Sequence, residues 1–223
     1  AAASGNAAGQ SGLNVAGQAT VINYATIITG NGSGTLGSGI GFTLQSGATL
    51  TNYGTATVGS ATGNFGAAGA FMMASTLINN GTILAGTGSS GGGAGITTSG
   101  SASSITNNGT IRAGNGTASG GGNGATLAGG SSLSNNAGAI LAGGDGSTSG
   151  GPGVSITSPT VLISVTNSGT ITGGNGATIA GGDGVRTSPG WVSLTNTGTI
   201  QGGNGATSGG WGVNLSGFPG HLA

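Results

Sequence analysis

Residues 194–206 read LTNTGTIQGGNGA, and nearly the same line stands at 165–177, VTNSGTITGGNGA, and at 105–116, ITNNGTIRAGNG. A chain built from one recurring line folds as a stack of similar units, so the unit is what needs explaining. Aligned on the apolar residue that follows N-x-G-T, one column runs Ile27, Ala56, Ile83, Ile111, Ile140, Ile171 and Ile200, in steps of 29, 27, 28, 29, 31 and 29 residues. A second column, six or seven residues earlier, is Val21, Leu50, Leu77, Ile105, Leu133, Val165 and Leu194. Two residues beyond it lies a column made only of asparagine: Asn23, Asn52, Asn79, Asn107, Asn135, Asn167 and Asn196.

A further column opens each unit, usually after Gly: Phe42, Phe71, Ile96, Ala125, Val154, Val185 and Val213. Two residues on come Leu44, Met73, Thr98, Leu127, Ile156, Thr187 and Leu215. Each unit thus holds three short segments that alternate with period two, separated by Gly, Asn and Ser. No segment carries a helical stripe, and the density of Gly would penalise a helix heavily. Three short strands per unit of about 29 residues describe one coil of an all-β, parallel β-solenoid. About seven coils at ~4.8 Å each make a rod of roughly 34 Å. One coil cannot bury its own apolar edge, but a stack buries a continuous thin core.

The asparagine column fits the same geometry. At a corner, Asn-x-Gly supplies a residue tolerant of left-handed backbone followed by an unrestricted one. An inward Asn at every coil can also bond its amide to the Asn above and below, forming a ladder that satisfies buried polar groups. Tyr24 and Tyr53 are 29 residues apart, as are Phe42 and Phe71, so each pair is expected to stack on adjacent coils. Residues 21–215 form the expected solenoid, 1–20 an N-terminal cap or inter-subunit segment, and 216–223 a C-terminal tail or joint.

Composition removes most chemistry. The 223 residues contain 57 Gly, no Cys, no Lys and no Glu; the charged side chains are Arg112, Arg186, Asp145 and Asp183, and the formal net charge is zero. There is no basic face for nucleic acid, and no apolar run approaches the roughly 18 residues of a membrane helix. Gly88, Ser90 and Gly92 spell a nucleophile frame, and Gly32, Gly34 and Gly37 a dinucleotide fingerprint, but neither precedes a helical pattern. AGGDG at 142–146 and 180–184 resembles calcium-binding nonapeptides, which need an Asp in every turn. Asp145 lies five residues after its column Ile and Asp183 twelve after its own, so the two do not stack. No catalytic residue, cofactor or metal is therefore expected. An ice-binding face would need two parallel Thr files; one is visible, at Thr26, Thr55, Thr82, Thr110, Thr170 and Thr199, and a second does not persist.

The period is broken in two places. VSITSPTVLISV at 154–165 is the longest connection, with Pro159 and an apolar patch of Val161, Leu162 and Ile163, and reads as a tolerated corner insertion. Trp191, Trp211 and Phe218 crowd the C-terminal end, where they could cap the core, form a subunit contact or stack on sugar rings.

The lines NSGTITGGNGA and NTGTIQGGNGA resemble the passenger repeats of bacterial autotransporters and related surface adhesins, over most of the chain from about Val21 to Leu215. The resemblance implies a right-handed parallel β-helix exported to the bacterial surface as a stalk, adhesin or aggregation module. The membrane barrel that follows such passengers is not in this chain, so a fragment, a processed passenger or a free secreted subunit is expected. Near-absence of charge removes repulsion between rods, and bare sheet edges invite pairing. The expected protein is a non-enzymatic extracellular rod whose partner is itself, head to tail, serving adhesion, aggregation or biofilm matrix. The alternative is a monomeric glycan-binding stalk using Trp191 and Trp211 on surface glycans or neighbouring cells; a polysaccharide-active enzyme or an ice-binding protein ranks lower.

Overall fold

A computed structural model describes residues 9–33, 37–188 and 190–216 of the chain. Its 22 strands take turns among three parallel sheets, so every third strand is hydrogen-bonded to the next. The first sheet runs from Leu13–Val15 to Val213–Asn214, the second from Thr20–Asn23 to Trp191–Asn196, and the third from Thr26–Ile28 to Thr199–Gln201. The protein is a β-solenoid of seven coils with the first strand of an eighth. The ladder already includes Leu13–Val15, which pairs with Phe42 to Leu44 inside the stretch expected as a cap.

Alternation decides what is inside. In the second sheet Leu50, Leu77, Ile105, Leu133 and Val165 point inward and are buried, and the Asn two residues later points inward with them. The third sheet contributes Ala56, Ile83, Ile111, Leu141 and Ile171, and the first Phe42, Ala70, Ile96, Ala125, Val154 and Val185. These columns form one continuous cluster along the axis. The connection from third to first sheet is stacked too, through single parallel bridges that link Gly32, Ala61, Gly88, Gly116, Gly146, Gly176 and Gly205 in turn.

Two column assignments need correction. Ile140 is not the core residue of its coil: it pairs with Thr110 and Thr170, while Leu141 pairs with Ile111 and Ile171 and is fully buried. Where other coils read Asn-x-Gly-Thr, this one reads Asn135-Asn136-Ala137-Gly138-Ala139-Ile140. The additional residues make a tight turn in which Ala139 N–H donates to Asn136 O at 3.0 Å, with Gly138 at φ 79°. A left-handed backbone there is comfortable only for Gly.

In the first sheet, Phe42 pairs with Ala70, not Phe71, and Leu44 with Met72, not Met73. Phe42 is buried while Phe71 faces outward opposite Thr43, so the two rings do not stack. The glycine column Gly41, Gly69, Gly95, Gly124, Gly153, Gly184 and Gly212, immediately before each strand, fixes this register. A Cβ at Gly95, Gly153 or Gly184 would run 2.6–2.7 Å from Cγ2 of Ile111, Ile171 or Ile200 across the core. Tyr24 and Tyr53 do stack, with centroids 5.0 Å apart and planes 7° from parallel.

Candidate functional site: two asparagine files and a flank groove

The asparagine column is an unbroken ladder. Asn23 Nδ2 donates to Asn52 Oδ1 at 2.8 Å, Asn52 to Asn79 at 2.8 Å, Asn79 to Asn107 at 2.9 Å, Asn107 to Asn135 at 2.8 Å, Asn135 to Asn167 at 2.8 Å and Asn167 to Asn196 at 2.7 Å. The second amide hydrogen of an inner rung reaches backbone at the corner, as from Asn107 to Ile140 O at 3.0 Å and from Asn167 to Thr199 O at 3.0 Å. Asn52, Asn79, Asn107 and Asn167 are wholly inaccessible to solvent. No other side chain supplies a donor and an acceptor on one short planar group, which is what a buried file along the axis requires.

The corner glycines have a different reason from the one expected. Neither these Asn nor Gly54, Gly81, Gly109 and Gly198 has a left-handed backbone. A Cβ on Gly54, Gly81, Gly109 or Gly198 would overlap the carbonyl oxygen of Ala25, Gly54, Gly81 or Gly169 in the preceding coil. The glycine allows coil-to-coil approach, not a reversed turn. A short second amide stack decorates the same corner outside, where Asn136 Nδ2 donates to Asn108 Oδ1 at 2.6 Å and Asn108 Nδ2 to Asn80 Oδ1 at 2.7 Å.

Four residues after the third-sheet core column lies another file, not apparent from the sequence: Asn31, Ser60, Thr87, Asn115, Asp145, Asn175 and Asn204. At Asn31, Asn115, Asp145 and Asn175 the side-chain oxygen accepts a backbone N–H of the next coil. Asn115 Oδ1 accepts from Asp145 at 3.0 Å, Asp145 Oδ1 from Asn175 at 2.6 Å, and Asn175 Oδ1 from Asn204 at 2.9 Å. All four side chains are exposed. Asp145 therefore belongs to a regular file, though not one that contains Asp183. Asp183 sits before the first sheet, its Oδ1 accepting from Trp211 N–H at 2.8 Å and its Oδ2 from Asn214 Nδ2 at 3.0 Å. The misassigned Ile140 hid the file, because it set Asp145 one place out of line.

Between this file and the outward residues of the third sheet runs a groove of about 470 Å³, lined from Leu84 and Thr87 in the third coil to Gln201 and Asn204 in the seventh. Arg112, Ala142 and Thr172 form the sheet side, and Gly114, Gly143, Gly173, Gly174, Gly202 and Gly203 the floor.

The structure does not bring the two described aromatic candidates to one corner. Trp191 starts a second-sheet strand beside Leu162, and Trp211 stands two residues before the last first-sheet strand, at a different corner; both are more than half exposed. Phe218 lies outside the described residues. The Pro159 insertion is a corner that lengthens the second sheet to Leu162–Asn167 and Trp191–Asn196, burying Ile163 and leaving Val161 and Leu162 half exposed.

The second sheet adds mixed hydroxyl files that a count of Thr alone passes over. Its outer face carries Thr20, Thr49, Thr76, Ser104, Ser132, Ser164 and Ser193 in register, and beside them Ile22, Thr51, Ile78, Thr106, Ser134, Thr166 and Thr195.

Fold and files together define a β-solenoid repeat protein. Compared with known proteins, the chain matches no family model, no curated protein and no solved structure.

Proposed function

We propose that the protein is a non-enzymatic structural rod of the bacterial cell surface or extracellular space, able to extend end to end and serving adhesion or aggregation. The observation that carries this is continuity. The same three sheets and the same Asn file persist with one register from the first coil to the seventh. At the two ends of the described stack the core columns stay only partly buried, through Leu13, Val21 and Ile27 at one and Val192, Leu194 and Ile200 at the other. A coil placed on either end would cover apolar side chains and satisfy strand edges in the register already in use. The passenger-like repeats and the near-absence of charge support export and close packing of rods. Electron microscopy of the purified chain across a range of concentrations tests the proposal. Filaments with an axial unit near seven coils, ~34 Å, are expected; short isolated rods at every concentration would remove self-assembly.

A second function, ordering of water at an ice surface, is favoured by one observation. One hydroxyl file of the second sheet runs the length of the rod at a ~4.8 Å axial repeat, and a second, about 6.6 Å beside it, is continuous from Thr106 to Thr195; among the described residues none of these hydroxyls bonds to protein. Thermal hysteresis that disappears in Thr51→Lys plus Thr106→Lys would establish it. Its absence in the unaltered chain would end it.

A further inference from the structure

The flank groove gathers amide and guanidinium donors in one recess. In the exposed Asx file, each side-chain Oδ1 of Asn115, Asp145 and Asn175 is held by the backbone N–H of the next coil. That bond fixes the side chains of Asn115 and Asn175, and the Nδ2 groups of these two and of Asn204 have no protein acceptor among the described residues. Arg112, across the groove, forms no ion pair or hydrogen bond among the described residues, and its side chain is exposed. The result is two pre-oriented amide donors two coils, ~9.6 Å, apart with the Asp145 carboxylate between them, the Asn204 amide one coil further on, and one free guanidinium across the groove.

The floor admits no added strand. Its backbone donors are already used inside the rod, Gly114 N–H on Gly93 O, Gly174 N–H on Gly151 O and Gly203 N–H on Gly182 O, each at 2.8 Å. A peptide adding by β-pairing would find no free ladder there. A ligand rich in hydroxyls would find partners, because a hydroxyl both accepts from an amide and donates to a carboxylate or carbonyl. Two coils span ~9.6 Å, close to the disaccharide repeat of an extended β-1,4-linked chain. The groove from Leu84 to Asn204 crosses four coil steps, ~19 Å, room for about four sugars in line. Glycines keep the floor low enough for the chain to lie against backbone. Arg112 and Asp145 offset each other in charge, which suits a neutral chain.

We infer that this groove binds an extended, neutral β-1,4-linked glycan lying parallel to the rod axis, recognised edge-on by the amide file and not by aromatic stacking. The inference sharpens the adhesive side of the proposed function and is independent of whether rods join end to end.

Calorimetric titration of the full chain with cellohexaose, with maltohexaose as the coiled α-linked control, is the test. Cellohexaose is expected to bind with a dissociation constant below ~1 mM, and maltohexaose at least tenfold more weakly. Asn175→Asp keeps the acceptor for Asn204 N–H but removes the donor, so the rod stays intact while affinity falls at least fivefold. Arg112→Ala should fall similarly, with Trp191→Ala plus Trp211→Ala unchanged. No binding of cellohexaose, equal binding of maltohexaose, or loss only in the tryptophan variant would each overturn the groove assignment. Filaments seen in the same preparation would show that the rod proposal had survived that failure. Short rods that still bind cellohexaose would show the reverse.

Discussion

The corner file and the flank file stack at the same axial spacing, but the corner bonds side chain to side chain away from water and the flank bonds side chain to backbone in contact with it. In the corner file every rung is Asn, and the inner rungs are closed to solvent. In the flank file Asp145 replaces Asn and still accepts the N–H of Asn175, while Ser60 and Thr87 stand in the column with no side-chain bond to the next coil among the described residues, and the rod tolerates both. A buried amide left with an unused donor or acceptor costs about 1–3 kcal/mol, so the corner accepts only a side chain that satisfies itself from both neighbours. On the flank, water takes whatever the protein does not use. What is invariant holds the rod together, and what varies is available to something outside it.

The largest effect is expected at the glycine floor beneath the flank file. In Gly114→Ala the new Cβ would overlap the Gly86 carbonyl oxygen and force the adjoining coils away from each other. The loss should exceed ~4 kcal/mol in urea unfolding, with peptide mapping by protease showing cleavage near the third and fourth coils. Next comes Asn107→Ala, which strips the acceptor from Asn79 and the donor from Asn135 in the middle of the ladder. A drop of about 2–4 kcal/mol is expected. A change below ~1 kcal/mol would mean that the corner file is as replaceable as the flank. Tyr53→Ala removes a stacked but exposed pair, and about 1 kcal/mol should go with it. Smallest is Asn204→Ala, whose side chain supports no further coil among the described residues; unfolding should move by no more than about 0.5 kcal/mol.

Much of this architecture was legible because the period is enforced physically. The three strands, the Asn file and most of the core follow from which residues recur, since each coil has to fit the one before it. The errors fell where a coil departs in length. Ile140 and Leu141 are both apolar and adjacent, and only the pairing across the turn at Gly138 tells which of them enters the core. Phe71 looked like the partner of Phe42 because size was matched before register. The glycine before each first-sheet strand was the better guide, as it is the residue a Cβ would drive into the opposite column. The flank file escaped notice because its members share an acceptor oxygen and not a residue type. Grouping Asn, Asp, Ser and Thr by that oxygen, four places after the core column, would have found it. The hydroxyl files of the second sheet were missed for the same reason, with Ser standing in for Thr.

The contrast between the files rests on which amides are engaged, and side-chain amide hydrogen exchange measured by NMR reads that directly. The Nδ2 protons of Asn52, Asn79, Asn107, Asn135 and Asn167 should exchange at least ~100-fold more slowly than those of a free amide, as an opening free energy of about 3 kcal/mol would impose. Those of Asn115, Asn175 and Asn204 should exchange close to the free rate in the absence of ligand. Equal exchange in the two files would contradict the division of the rod into a corner that holds it together and a flank open to ligands.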